Sequence, residues 1–313
     1  MSIARWWDSV WFRNGSYIDL AVVRILAVGL SLVMLIVEFP GALKLVLEMP
    51  DSLYYPLPTL KIFMLPWGWG ARPDATMVNI VYWVTLISGF FSLAGFRTNI
   101  SLFVFSIGIL FLQAFIYGFG DLHHREAIMM VALLALSLSP SGRVLSLDNV
   151  LGKGHNSFVD SRIPVSTATS PFAYWPLLML QVFFCLMYLS AVVSKLYGSG
   201  IGWINGYTLQ YFMIQDGIRW GSEVAVWFSQ FHVFLFMAQI VVILFQGTFW
   251  VVLIYPRAKW VYVPLGLFFH LFILFTLKAP FFQWLVLYSV FIPWSRVFER
   301  FSRRSGNIDT VTG

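Results

Sequence analysis

The sequence is short of cysteine and of charge: Cys185 stands alone, and only 11% of the 313 residues are Asp, Glu, Lys or Arg. A single thiol excludes an internal disulfide and a cysteine-built metal site, and its place inside an apolar run makes it a packing residue. The sequence also lacks a Gly-rich phosphate loop, a nucleophile elbow, a nucleotide fingerprint and any internal repeat. What fills the space is apolar, 59% of the chain, with 19% aromatic. One soluble core of this length cannot use so much apolar surface, so the class is an all-α polytopic membrane protein without a large soluble domain. The net charge of +6 does not point to nucleic acid, because the basic residues lie between apolar runs and at the chain ends. That distribution is the mark of membrane topology.

A crossing needs about 20 residues, and about eight segments qualify: 18–38, 77–96, 98–118, the shorter 126–139, 172–194, one or two within 224–255, 259–277 and 280–294. The stretch 224–255 exceeds one perpendicular span and breaks near Gly247, which reads as a tilted helix followed by an interfacial turn. Residues 1–17, with Trp6, Trp7 and Trp11, read as an interfacial segment rather than a cleavable signal. The membrane domain then covers 18–296, and 297–313 is a basic cytoplasmic tail, disordered from Arg300.

With the N-terminus inside, twelve Lys and Arg fall in cytoplasmic segments and six in outer loops, which places both termini in the cytoplasm. In that orientation the fifth span carries Lys195 to its outer end. The loop "GFGDLHHREA", the region of His232, and His270 lie on the same outer side, while His155 lies on the other.

Lys195 ends a long apolar run and is followed by "LYGSGIGWINGY". It is either a snorkelling anchor at the interface or a desolvated amine able to act as a general base. Gly198, Gly200, Gly202 and Gly206 are expected to let the chain fold back closely over it. His123 and His124 are adjacent, so only one of them reaches a shared site; alternatively "HHRE" caps the fourth span, with Asp121 and Glu126 at its N-terminus. His270, inside "GLFFHLFILF", is either functional or a helix-to-helix hydrogen bond. Arg24 and Arg97 are expected to be structural. The histidines lack metal-ligand spacing and no carboxylate cluster joins them, so no metal is expected.

With these residues in view, the chain resembles the horizontally transferred transmembrane domain family, which includes the vitamin K-dependent gamma-glutamyl carboxylases. Tyr188, Ala191, Lys195, Leu196, Trp203, Gly206 and Tyr211 are similar to the segment that carries the family's catalytic lysine, with Lys195 in its place. "FFHLFILFTLKAPFFQWLVLY" matches a segment with a Phe-His pair at His270. "HHREAIMMVALLALSLSPSGRVLSLD" looks like the segment in which an active-site histidine precedes a helix ending in Ser-x-Asp, here Ser146 and Asp148; the register favours His124.

The resemblance implies a site in which Lys195, His124 and His270 are catalytic. Tyr188, Trp203, Gly206, His123 and Tyr211 would bind substrate or quinone, Trp203 and Gly206 shaping a lid. It further implies a vitamin K-type hydroquinone with O2 and CO2 as co-substrates. The lysine deprotonates the hydroquinone, oxygen addition yields a strong alkoxide base, that base removes the γ-proton of a glutamate, and CO2 traps the carbanion. The sequence departs from the family pattern in carrying a tandem histidine, and it stops soon after Trp294, where the carboxylases continue into a large lumenal domain. Compact relatives act in maturation of secreted peptide toxins, so a non-carboxylating peptide-maturation factor is the alternative reading.

Overall fold

The computed structural model describes residues 3–120, 125–152 and 168–308. Helices dominate, and among the described residues the only strands are Gly15–Ser16 (β1) and Thr169–Ser170 (β2), paired antiparallel. Among the described residues six helical segments are long and apolar enough to cross a membrane: Tyr17–Val37, Ala75–Ala94, Thr98–Tyr117, Pro171–Trp203, His232–Ile254 and Pro256–Leu277. The protein is therefore a polytopic helical membrane protein. The expected fourth and eighth spans are shorter, an 11-residue helix at Ala127–Ser137 and a helical stretch at Phe282–Phe291. Eleven residues rise only about 16 Å, roughly half the hydrocarbon thickness. Prolines bound both: Pro140 follows the first, and Pro280 and Pro293 flank the second.

The chain divides into two compact units, one of residues 1–180 with 292–313, the other of 181–291. The first contains α1 (Ile3–Trp11), α2 (Tyr17–Val37), α3 (Phe39–Glu48), α4 (Pro58–Phe63), α5 (Ala75–Ala94), α6 (Thr98–Tyr117), α7 (Ala127–Ser137), α8 (Leu147–Val150) and the start of α9 (Pro171–Ser199). The second holds the rest of α9, then α10 (Tyr207–Trp220), α11 (Glu223–Phe228), α12 (His232–Thr248), α13 (Val251–Ile254), α14 (Lys259–Leu277) and α15 (Phe282–Leu287); α16 (Trp294–Ile308) returns to the first unit. The stretch 224–255 thus breaks twice, at Ser229–Phe231 and just after Thr248, close to the expected point. The tail also differs from the expectation. It is helical to Ile308, because apolar Val297, Phe298 and Phe301 alternate with charged residues at helical rather than random spacing.

In the first unit α2 is buried along Leu20, Ala21, Val23, Ala27, Val28 and Leu35. Small residues let its neighbours close in: a β-carbon on Gly89 would lie 2.6 Å from Leu32, and one on Gly108 would strike Thr85. The opposite face of α5 exposes Ile80, Trp83, Val84, Ile87, Phe90 and Phe91. Their three-and-four spacing draws an apolar stripe along one side, the surface a helix presents to lipid.

The turn between α5 and α6 is held electrostatically. Gly95 ends α5 in the left-handed region, and a β-carbon there would collide with Ser146 and come within 3.2 Å of Arg24. Asp148 then accepts hydrogen bonds from the Arg97 amide, the Thr98 amide and the Thr98 hydroxyl, each at 2.8 Å. A carboxylate there satisfies the first free amides of α6 and meets the positive end of its dipole. Fully buried Arg24 donates to Ser141 O at 2.8 Å and Leu145 O at 2.6 Å, pinning the α7–α8 connector to α2. Ser146 accepts from the Asn149 amide as the cap of α8. Ser146 and Asp148, the Ser-x-Asp pair, are therefore caps, and Arg24 ties the connector after α7 to α2.

Partial burial pushes the Asp148 carboxyl up, but the hydrogen bonds from Thr98 and Arg97 and the charge of Arg24 together bring it below the usual value. A depressed folded value means that this carboxylate stabilises the fold above the ordinary range near about pH 4 and ceases to do so as pH falls through the folded value. The contribution is screened, since the group is largely open to solvent. In detergent, wild type should lose melting temperature more steeply than Asp148→Asn, which has no charge to lose, as pH falls below about 4. Equal acid slopes would show that Asp148 does not hold the turn as a carboxylate.

Candidate functional site

Lys195 lies near the C-terminal end of α9, half-buried, with Nζ donating to Ala191 O at 3.2 Å and to Gln246 Oε1 at 3.1 Å. Ala191 is one turn back on the same helix, so its carbonyl is a local partner; Gln246, on α12, is not. After Ser199 the chain tightens into a 3-10 turn, Gly200–Trp203, which brings the Trp203 ring to 5.8 Å from Nζ. That distance suits a cation–π contact. Among the described residues no carboxylate pairs with Lys195. The amine is thus surrounded by two neutral oxygens and an aromatic face.

The fold-back over Lys195 is secured by an amide. Gln239, fully buried on α12, donates from Nε2 to Trp203 O at 3.1 Å, and its Oε1 accepts from the amides of Asn205, at 3.1 Å, and Gly206. Gln239 and Gln246 are seven residues apart, so one face of α12 presents both. Of the four glycines expected to allow close approach, only Gly206 is crowded: a β-carbon on it would lie 2.5 Å from the His232 ring, and its φ of +78° disfavours any side chain. Added β-carbons at Gly198, Gly200 and Gly202 would meet nothing within 4 Å. The fold-back depends on hydrogen bonds to Gln239 more than on backbone contact at those three positions.

Two turns before Lys195, on the same face of α9 and about 10 Å along its axis, stands Tyr188. It is buried, hydrogen-bonded to His270 Nε2 at 2.9 Å and to the Tyr288 hydroxyl. Gly266 makes room, since any side chain there would strike the Tyr288 hydroxyl. Phe184, Phe245, Phe249 and Trp284 enclose the network, with Tyr188 to Trp284 centroids at 5.1 Å and Tyr188 to Phe249 at 4.8 Å. His270 Nδ1 and Trp284 Nε1 are buried without a hydrogen-bond partner. A chain of Tyr288, Tyr188 and His270 is a path along which a proton can move, and the two polar atoms beside it have hydrogen-bonding capacity left unused.

The structure thus brings Lys195 together with Trp203, and Tyr188 together with His270, while Gly206 joins the fold-back and touches His232. Tyr211 is exposed on α10, its ring against Phe212, with no hydrogen bond or ring contact to Lys195, Tyr188 or His270. His123, His124 and Asp121 lie outside the described residues. Nearby Glu126 precedes α7 without a side-chain capping bond and instead accepts from Tyr117 and Arg125. Gln239, Gln246, Tyr288 and Trp284 are new to the site. The two glutamines had a signal, amides seven apart in the apolar run "FMAQIVVILFQG"; Tyr288 and Trp284 had none among so many aromatics. Compared with protein-family models, with curated proteins and with solved structures, the chain matches none.

If Gln239 holds the fold-back, loosening it from the glycine side should free the amides it binds. Hydrogen exchange at Asn205 and at position 206 is expected to accelerate at least about tenfold in Gly206→Ala, whose β-carbon meets the His232 ring at a positive φ, and to stay unchanged in Gly202→Ala. Equal exchange in the two variants would detach the fold-back from this contact.

Proposed function

We propose that this membrane protein is an enzyme in which Lys195 serves as the base toward a lipid-soluble hydroquinone, in a carboxylase-like modification of a glutamate in a secreted peptide or protein. The observation that carries the reading is the setting of Lys195: an amine in an apolar helix, against Gln246 and Ala191 oxygens and the Trp203 face, without a carboxylate among the described residues. A lysine kept only as a surface anchor gains nothing from a buried amide partner. A lysine that must accept a proton gains from partners that do not fix its charge. The resemblance to the transmembrane domain family supports the same role for Lys195.

The donor set suits a quinol. Trp203 offers a flat face beside the amine, the unpartnered Trp284 Nε1 offers a donor to a hydroxyl or carbonyl oxygen, and the unpartnered His270 Nδ1 donates or accepts according to the tautomer that Tyr188 holds. When bound, the hydroquinone with O2 supplies the strong base that takes the glutamate γ-proton, and CO2 adds to the resulting carbanion. Lys195 receives the first proton, and Gln246 keeps its amine aimed. The aromatic wall of Phe184, Phe245 and Phe249 excludes water. His124 and His270 are the further catalytic candidates. The reading places the protein in the cell membrane with both termini cytoplasmic and the site facing outside.

Purified protein in detergent, given vitamin K hydroquinone, O2 and bicarbonate, is expected to form the epoxide. Lys195→Ala should lower the rate by at least about 100-fold, the lower range for loss of a general base. Lys195→Arg should be equally inactive, because arginine keeps its proton. Epoxide formation by the arginine variant at the wild-type rate removes Lys195 as the base, and no epoxide from folded wild type turns the reading to a peptide-maturation factor.

A further inference from the structure

We propose that α16 is an in-plane membrane helix that binds anionic phospholipid headgroups through its arginines. Its beginning is fixed at the edge of a membrane-crossing helix: the Ser295 amide donates to Asp19 Oδ1 at 2.7 Å, and Asp19 stands in the first turn of α2. A helix tied there starts at the level where an apolar span meets water, whatever the rest of the protein does. Its two faces match that level. Phe298 and Phe301 are exposed, 44% and 66%, and at three-residue spacing they share one side with Val297. Exposed Arg296 and Arg300, four residues apart, share another.

Exposed phenylalanines have no use in water, but beside a bilayer they can enter the acyl boundary while arginines on the polar side reach phosphates. The partner's charge follows from the balance along the helix. Residues 294–308 contain Arg296, Arg300, Arg303 and Arg304 against the single acid Glu299. Such an excess favours an anionic surface over a zwitterionic one, by about fivefold for each arginine that comes near it. At the same end of α2, α1 exposes Trp6 and Trp7, residues suited to the headgroup region. Two helices of this kind precede and meet the start of α2, one contributing aromatic rings and the other positive charge.

Hydrogen exchange of peptides covering 294–308 tests the proposal on the full-length protein in nanodiscs, either of pure phosphatidylcholine or with phosphatidylglycerol added. Exchange is expected to slow by about tenfold or more with the anionic lipid, in keeping with two or more arginines engaged. The paired change Arg296→Gln and Arg300→Gln should erase most of that difference, while exchange in α2 and α6 stays as in wild type, showing that the fold is intact. Phe298→Ser with Phe301→Ser should speed exchange in both nanodiscs. Equal protection in the two lipids would overturn the proposal. So would inorganic phosphate reproducing the protection in phosphatidylcholine, since the ligand would then be a free anion.

Discussion

Polar groups carried into apolar helices must find partners inside the protein, because lipid supplies none. Much of the architecture answers that demand. Arg24 is the severest case, a charge whose burial within a span costs about 3 kcal/mol or more. It is met by the Ser141 and Leu145 carbonyls and by the nearby Asp148 charge. That arrangement in turn fixes the α5–α6 turn, so a cost imposed by one side chain becomes the device that orders three stretches of chain.

The second unit meets the same demand with neutral groups. Gln239 and Gln246 replace the carboxylates that would usually compensate a lysine or close a loop, and Tyr188, His270 and Tyr288 satisfy one another. Neutral partners leave Lys195 free to change its protonation state without creating an uncompensated acid beside it. The same economy leaves His270 Nδ1 and Trp284 Nε1 buried without hydrogen-bond partners.

The membrane class and six long helices were legible from run length and composition, since about 20 apolar residues in succession have few other uses. The two shorter helices were not, because hydropathy counts apolar residues and prolines decide how many of them stay helical. Lys195 was legible as a cation near the end of an apolar run that leads into a glycine-rich stretch, and Trp203 as its cover. Gln246 was harder, for an amide in a span has no charge to draw attention and its partner lies 51 residues away in sequence. Glycine spacing misled in "YGSGIGWINGY": four glycines permit close approach, but only Gly206 has a neighbour that requires it. In the tail the density of charge hides the helical spacing of Val297, Phe298 and Phe301.

The bond between Asp19 and the Ser295 amide spans 276 positions. A ribosome supplies Asp19 near the beginning and Ser295 near the end, at roughly 5–20 residues per second, so α2 waits on the order of tens of seconds for this contact. The strand pair imposes a shorter wait of the same kind, Gly15 and Ser16 meeting Ser170 and Thr169 only after half the chain is made. The first membrane helix is therefore the first to be inserted and among the last to be finished. A chain truncated before α16 would keep the six long helices and leave the first turn of α2 without this closing bond.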